Sequence, residues 1–212
     1  MSLSPMMQQY QQAKQAAGDA LLLFRMGDFY ELFYDDAKIA ARVLGLSLTS
    51  RDKGENPIAM AGFPHHQLDP YLAKIIAAGY RAAVCEQMED PRQAKGIVKR
   101  DITRIVSRGT VTDDALLDPR SGNYLAAIAL GSGNSKVGMA WTDISTGRFH
   151  AASFDQTAVA DQLARIAPAE LLLSDAVAKE VPPLWTEGRA VSLRPAWAFG
   201  ADQARETLTR HF

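Results

Sequence analysis

The stretch LLLFRMGDFYELF, residues 21–33, decides how this chain is organised. Its first part, Leu21–Phe24, is a short apolar run typical of a strand buried on both faces, and a Gly-Asp pair predicts a break shortly after it. Phe29–Phe33 then continues as extended chain. Because side chains alternate along extended chain, Phe29 and Glu31 should project to one side, about 6.6 Å apart at a rise of roughly 3.3 Å per residue.

An aromatic ring and a carboxylate that project together suit a ligand with a stackable face and a polar edge. Burying the pair would be costly, because an uncompensated carboxylate is strongly disfavoured in an apolar core. A nucleic-acid base has both a stackable face and a polar edge. In the alternative interpretation Phe29 is a core residue, and the chain is a structural or partner-docking pair of domains.

Three ordered blocks surround this pair: FRMGDFYELFYDDA from Phe24, IAMAGFPHH from Ile58 and VCEQMEDP from Val84. Together they resemble the N-terminal mismatch-recognition domain of the MutS family of DNA mismatch-repair proteins. The likeness continues through SRGTVTDDALL from Ser107 and TDISTGRF from Thr142 into what resembles the family's connector domain. The resemblance covers essentially the whole chain.

The family's Phe-x-Glu motif falls on Phe29 and Glu31. The resemblance implies that Phe29 stacks as a wedge at a mispaired or unpaired base in the minor groove of kinked DNA. It also implies that Glu31 forms a hydrogen bond with that base. Two forms of this bond stay open: an ionised carboxylate that accepts from a base N–H, and a protonated one that donates to a base nitrogen.

The resemblance also sets expectations for activity and partners. Family members carry an ATPase at the C-terminus, and this chain has no phosphate loop; the GSGNSK segment at 131–136 reads as a hairpin turn. We therefore expect this chain to be a fragment of a longer protein. The fragment should have no enzymatic activity and no cofactor, and only the full-length protein should need ATP and magnesium. Expected partners are mismatched double-stranded DNA, a second copy of the full-length protein and a downstream repair protein at the connector; the fragment itself should be monomeric.

The chain lacks an apolar run near the ~20 residues of a membrane-spanning helix and a recognisable signal peptide. We expect no membrane contact and a bacterial cytoplasmic protein, associated with the nucleoid when it is on DNA. The fold class expected is mixed α/β in two domains, with recognition at 1–110, a linker at 111–120 and a ribonuclease-H-like connector at 121–212. Predicted strands in the first half include Leu46–Ser50, Tyr80–Glu86 and Ile102–Val106, and 61–64 is interpreted as a tight connection.

The net charge of −1 argues against a general DNA-binding protein, because nonspecific affinity comes mostly from lysine and arginine. Residues 92–108 form a local exception, with six basic residues against the single acid Asp101. This stretch is either a solvated face or a phosphate contact. The candidates for backbone contacts are Arg25, Arg51, Lys53, Arg104 and Arg108.

A metal-dependent nuclease is the competing enzyme hypothesis. Asp143 could be the first carboxylate of a ribonuclease-H-like site, but two-metal chemistry needs several converging acids, and no other acid clearly joins it. The pair His65-His66 has no further ligand at suitable spacing, so no metal site is predicted. Cys85, in an apolar run, is predicted to be a buried strand residue.

Overall fold

The computed structural model describes residues 4–50, 57–94, 96–113, 116–117, 120–131 and 136–211. The chain forms two compact units, Met1–Ser107 and Arg108–Phe212. The predicted contacts at Arg51 and Lys53 and the predicted turn at 132–135 lie outside the described residues. Within the described part, no helix combines the length and the apolar character that crossing a membrane requires.

The first unit is built on a mixed sheet. Its described strands are β1 (Leu21–Met26), β2 (Phe29–Phe33), β3 (Thr49–Ser50), β4 (Ala59–Pro64), β5 (Ala82–Gln87) and β6 (Arg100–Val106). They are ordered β3-β4-β2-β1-β5-β6 across the sheet. Since β1 runs antiparallel to β2 and parallel to β5, the β1–β2 turn and the carboxyl end of β5 lie at the same end of the sheet. We call this the hairpin end.

Helices cover both faces of this sheet. They are α1 (Pro5–Ala17), α2 (Tyr34–Leu44) and α3 (Leu68–Ala77). The first helix buries Tyr10 against Phe24 and Phe33, with ring centroids 5.4 and 4.9 Å apart. On the opposite face the Phe63 ring stacks on Tyr71 of α3 at 4.3 Å. Alternation along β2 therefore places Phe29, Glu31 and Phe33 on the α1 face.

Asp36 links three elements of this unit. Its carboxylate is buried and accepts hydrogen bonds from Leu22 N at 3.0 Å and from Lys14 Nζ at 2.9 Å. The side chain thus satisfies a backbone donor near the start of β1 and joins α1 to α2 by an ion pair. This anchoring fixes the strand that leads to the β1–β2 turn.

Two local predictions in the first unit are wrong. The strand predicted at Leu46–Ser50 is limited to Thr49–Ser50. Residues 61–64, interpreted as a tight connection, belong to β4, which pairs along the full length of β2. Glycine and proline are ordinary turn signals, but Gly62 lies inside the strand and Pro64 at its end.

The second unit contains a second mixed sheet. Its strands are β7 (Tyr124–Leu130), β8 (Lys136–Asp143), β9 (Arg148–Asp155), β10 (Glu170–Ser174) and β11 (Val191–Arg194), and its helices are α4 (Val159–Ile166), α5 (Pro183–Thr186) and α6 (Ala201–His211). The order is β11-β10-β7-β8-β9. The first three strands form an antiparallel meander, and β10 runs parallel to both β7 and β11.

The two-domain α/β class predicted from the sequence is confirmed. The second unit has its own core, in which Leu163 and Trp185 pack with the sheet residues Ile128, Met139 and Leu171. The sequence did not predict α5 or β11. A 3-10 turn at Gln156–Ala158 leads into α4, which begins at Val159.

Candidate nucleic-acid interface

Phe29 projects from the hairpin end of the first sheet. It is the first residue of β2, and 46% of its surface is exposed, whereas Tyr30 and Phe33 of the same strand are at most 1% exposed. Burial normally removes a phenylalanine ring from water, so this exposure costs hydrophobic stabilisation. The alternative in which Phe29 is a core residue does not agree with this placement.

Glu31 lies beside the ring, as the alternation predicted. Phe29 and Glu31 line one hollow of about 530 Å³. Its other walls come from the segment after α2 and from β3 and β4: Gly45, Leu46, Ser47, Thr49, Met60 and Gly62. The structure therefore brings the aromatic ring and the Glu31 side chain to a shared concave surface, although Oε2 of the carboxylate is buried.

Gly62 shapes this hollow. It pairs directly with Glu31 across β2 and β4. A Cβ atom at position 62 would come within 2.8 Å of Tyr30 O and 3.5 Å of Glu31 Cγ, which is too close for the first contact. A glycine inside a strand often marks a close approach, and here the missing side chain avoids a clash with the Tyr30 carbonyl.

The turn that carries Phe29 is held from both sides. Gly27 adopts φ +58° at the first position of the two-residue loop, a conformation that glycine tolerates best. The carbonyl of Asp28 accepts a hydrogen bond from His65 N at 2.8 Å, and His65 Nδ1 lies 3.1 Å from the same oxygen. His65 therefore has a structural function at the turn, which accounts for it without a metal.

The back of the hairpin carries a polar cluster on the opposite face. The Tyr30 hydroxyl donates to Glu86 Oε1, and Arg25 Nη1 lies 3.5 Å from Glu86 Oε2. Burial, together with the Glu86 carboxylate, raises the pKa of Tyr30, so its hydroxyl stays protonated as a donor. Arg25 also donates through Nε to Gly27 O at 2.5 Å. Its guanidinium is thus engaged inside the protein, which disfavours it as a phosphate contact.

Exposed basic residues do lie at the hairpin end, but they are different ones. The connection from β5 to β6 closes here through a hydrogen bond from Met88 N to Lys99 O at 2.8 Å. Arg92 and Lys99 are exposed along this connection. Arg104 is exposed further along β6, and Arg108 is exposed in the second unit. The geometry therefore favours Arg92 and Lys99 as candidates for phosphate contacts. The sequence analysis identified them only as members of a basic stretch.

Arg100 is the residue whose placement the sequence did not predict. Its Nε donates to Arg25 O at 2.6 Å, and its Nη1 donates to Gln9 Oε1 and to Val98 O, both at 2.9 Å. The guanidinium also lies over the Phe24 ring, 5.0 Å from its centroid. Burial lowers the pKa of Arg100. Alternation along β6 puts Arg100 on the same face as Ile102, which packs against the core. This pattern could have indicated that Arg100 points inward.

The buried acids of the second unit have structural partners. Asp143 Oδ1 accepts from Ser145 Oγ at 2.7 Å and from Ser145 N at 3.1 Å, and these bonds to Ser145 keep its pKa below the usual range. Glu170 accepts from Gly109 N at 2.9 Å and from Ser192 Oγ at 2.6 Å. The described residues contain no cluster of three or more side chains suited to a metal ion. These contacts disfavour the nuclease hypothesis.

Cys85 is also accounted for by the fold. It is fully buried in β5, as predicted. Burial raises the pKa of its thiol to about 11. Because the thiolate is the reactive form, this cysteine is not a nucleophile at neutral pH.

Comparison with protein families decides the relationship. The model of MutS domain I matches residues 4–115, and the model of MutS domain II matches residues 123–212. The chain belongs to the MutS family. Phe29 and Glu31 fall within the domain I match, whereas Asp143 and Glu170 fall within domain II.

Curated MutS relatives agree with this result. A DNA mismatch repair protein MutS from Rhodopirellula baltica is 54% identical over 227 aligned positions, which cover 98% of this chain and 25% of the relative. One from Methanothrix thermoacetophila is 51% identical over 180 positions, covering 84% of this chain and 21% of the relative. The chain therefore spans a quarter or less of the length of these relatives.

Proposed function

We propose that the first unit of this MutS chain recognises mispaired or unpaired bases in double-stranded DNA. One observation carries the proposal: a half-exposed phenylalanine ring and a carboxylate line the same hollow at the end of a rigid sheet. Phe29 inserts beside the defective base in the minor groove, and Glu31 forms a hydrogen bond with that base while the DNA is kinked.

The free energies of stacking, base-step opening and bending explain why an inserted ring can prefer a mispaired duplex to a fully paired one. Stacking one base on an aromatic side chain contributes about 1–3 kcal/mol. Opening a base step costs roughly a few kcal/mol, and bending adds about 1–6 kcal/mol. In a paired duplex these terms nearly cancel or are unfavourable. Where pairing and stacking are already impaired both costs fall, so insertion becomes favourable without any readout of base identity.

The second unit would act as a connector. We propose that this chain works within a longer, dimeric protein whose other domains hold the ATPase and enclose DNA, so that the connector couples recognition to ATP hydrolysis and to a downstream repair protein. On its own the chain would hydrolyse nothing and bind DNA weakly. ATP and magnesium would act only in the full-length protein, in the bacterial cytoplasm.

The direct test is a binding comparison. Fluorescence anisotropy would measure the affinity of the full-length protein and of this chain for two duplexes that differ only in one mispair. We expect the full-length protein to prefer the mispaired duplex and this chain to bind both duplexes more weakly. Equal affinity of the full-length protein for both duplexes would contradict the proposed function.

Lys99 offers a test of where the DNA backbone lies. If its ammonium contacts a phosphate at the hairpin end, Lys99→Gln should weaken binding to both duplexes equally and reduce the slope of log K against log salt concentration by about 1. Lys38→Gln is the matched control, since Lys38 is also exposed, lies on α2 and pairs with Asp35. A slope that Lys99→Gln leaves unchanged would exclude this contact.

A further inference from the structure

Arg100 lies on the same face of the sheet as the Phe29–Glu31 pair, and its guanidinium reaches from β6 over Phe24 of β1. Its side chain joins three segments of the first unit: Gln9 on α1, the main chain of Arg25 at the end of β1, and Val98 before β6. The three donor–acceptor distances lie between 2.6 and 2.9 Å. This set of contacts fixes the guanidinium at the hairpin end, because moving it would break bonds to α1, to the end of β1 and to the residue just before β6.

The fixed charge lies on the face from which Glu31 projects. The guanidinium covers the ring of Phe24 at 5.0 Å, and Phe24 is the direct cross-strand partner of Glu31. Burial lowers the pKa of Arg100, and the neighbouring Cys85 and Glu31 act in the opposite direction, which agrees with a guanidinium and a carboxylate on one face of the sheet. A charge pair that is partly shielded from water interacts more strongly than one at the open surface.

An ionised Glu31 would otherwise be repelled by DNA phosphates. A protein that places a carboxylate in the minor groove must offset this repulsion, since juxtaposed like charges weaken association. Arg25 cannot supply the offset from the opposite face, where it contacts Glu86 and the Tyr30 ring. Arg100 is a positive charge on the same face of the sheet as the carboxylate, and its hydrogen bonds to Gln9, Arg25 and Val98 hold it there.

We propose that Arg100 is a positioning residue for recognition: it clamps the hairpin end and offsets the charge of Glu31, so that Glu31 can approach a mispaired base between the phosphates. This proposal rests on the proposed function of Phe29 and Glu31. Arg100 itself does not touch DNA. Its effect on binding passes through Glu31.

A double-mutant cycle in the full-length protein tests this dependence. With Glu31 present, Arg100→Gln should weaken binding to a mispaired duplex by about tenfold. In the Glu31→Gln background the same substitution should weaken binding by less than about twofold, because no carboxylate charge remains to be offset. An equal loss in both backgrounds would overturn the proposal, since Arg100 would then act only on the fold.

The variant Arg100→Lys separates charge from clamping. It keeps a cation but cannot make the same three bonds, so we expect a lower melting temperature with near-normal binding of the mispaired duplex. A loss of binding as large as that in Arg100→Gln would contradict the charge-offset argument. If Arg100→Gln does not fold, the cycle is run with Arg100→His at pH 8, where the imidazole is neutral and the same result is expected.

Phe29→Ala, measured in parallel, distinguishes the two proposals. Phe29→Ala can lose the preference for mispaired DNA while Arg100→Gln has the same effect with and without the Glu31 carboxylate. That result would contradict only the proposed role of Arg100. If Phe29→Ala keeps that preference, the proposed function itself fails.

Discussion

Phe29→Ala should abolish the preference for mispaired DNA and leave the protein folded. The ring is 46% exposed, so its removal changes little of the core. A stacking contribution of about 1–3 kcal/mol corresponds to a loss of roughly 5- to 150-fold in affinity for the mispaired duplex. Affinity for the fully paired duplex should hardly change, because there the ring does not insert. Anisotropy titrations with both duplexes would measure this difference.

Phe149→Ala provides the matched control. Phe149 is a phenylalanine of similar exposure, at 44%, on β9 of the second unit. Its removal should leave the ratio of the two affinities unchanged. Phe29→Leu adds a second comparison: it keeps apolar volume but not the stacking face, so most of the preference should still be lost. A normal affinity ratio in Phe29→Ala would exclude the wedge.

The shared side of Phe29 and Glu31 could be predicted because its signals are local. An apolar run, a glycine break and a further extended segment indicate two strands, and alternation along the second puts Phe29 and Glu31 on one side, whereas the pairing of the two strands comes from the structure. The helix after them could be predicted for the same reason, since its apolar spacing ends at Gly45, which adopts φ +71°. Exposure of Phe29 could be expected only from the resemblance, as most rings on strands are buried.

Features that depend on distant partners could not be predicted. Gly62 and Pro64 carry turn signals, yet pairing with β2 holds them in a strand, and only that pairing reveals that a side chain at position 62 would clash with the Tyr30 carbonyl. Likewise, basic residues look alike in sequence. Arg25 and Arg100 turn inward to carbonyls and acids, whereas Lys99 stays exposed, and these differences are set by contacts with residues up to 91 positions away.

A register shift adds to this difficulty. Between Val84 and Cys85 the β5–β6 pairing slips, leaving Thr103 without a register partner. Strict alternation from Arg100 would therefore fail beyond Ile102, and Arg104 is exposed rather than inward. Bulges of this kind redirect side chains and follow from tertiary pairing, so the direction of Arg104 could not be obtained from its own neighbours.

Glu31→Ala should have the second largest effect, and in the opposite direction for paired DNA. Two like charges 4 Å apart in water repel by about 1 kcal/mol, so removing the carboxylate should raise affinity for a paired duplex about fivefold. The mispaired duplex should gain less, because it also loses a hydrogen bond worth about 0.5–1.5 kcal/mol. The measured ratio of affinities should therefore fall even as overall binding tightens.

Two comparisons identify the cause of that change. Asp28→Asn removes a carboxylate one residue before Phe29, at an exposed position, so it should raise both affinities equally and leave their ratio intact. Glu31→Gln removes the charge but keeps a group that can donate or accept a hydrogen bond, so it should tighten paired binding while preserving more discrimination than Glu31→Ala. A Glu31→Ala protein that binds paired DNA no more tightly than the unaltered protein would show that this carboxylate does not face the phosphates.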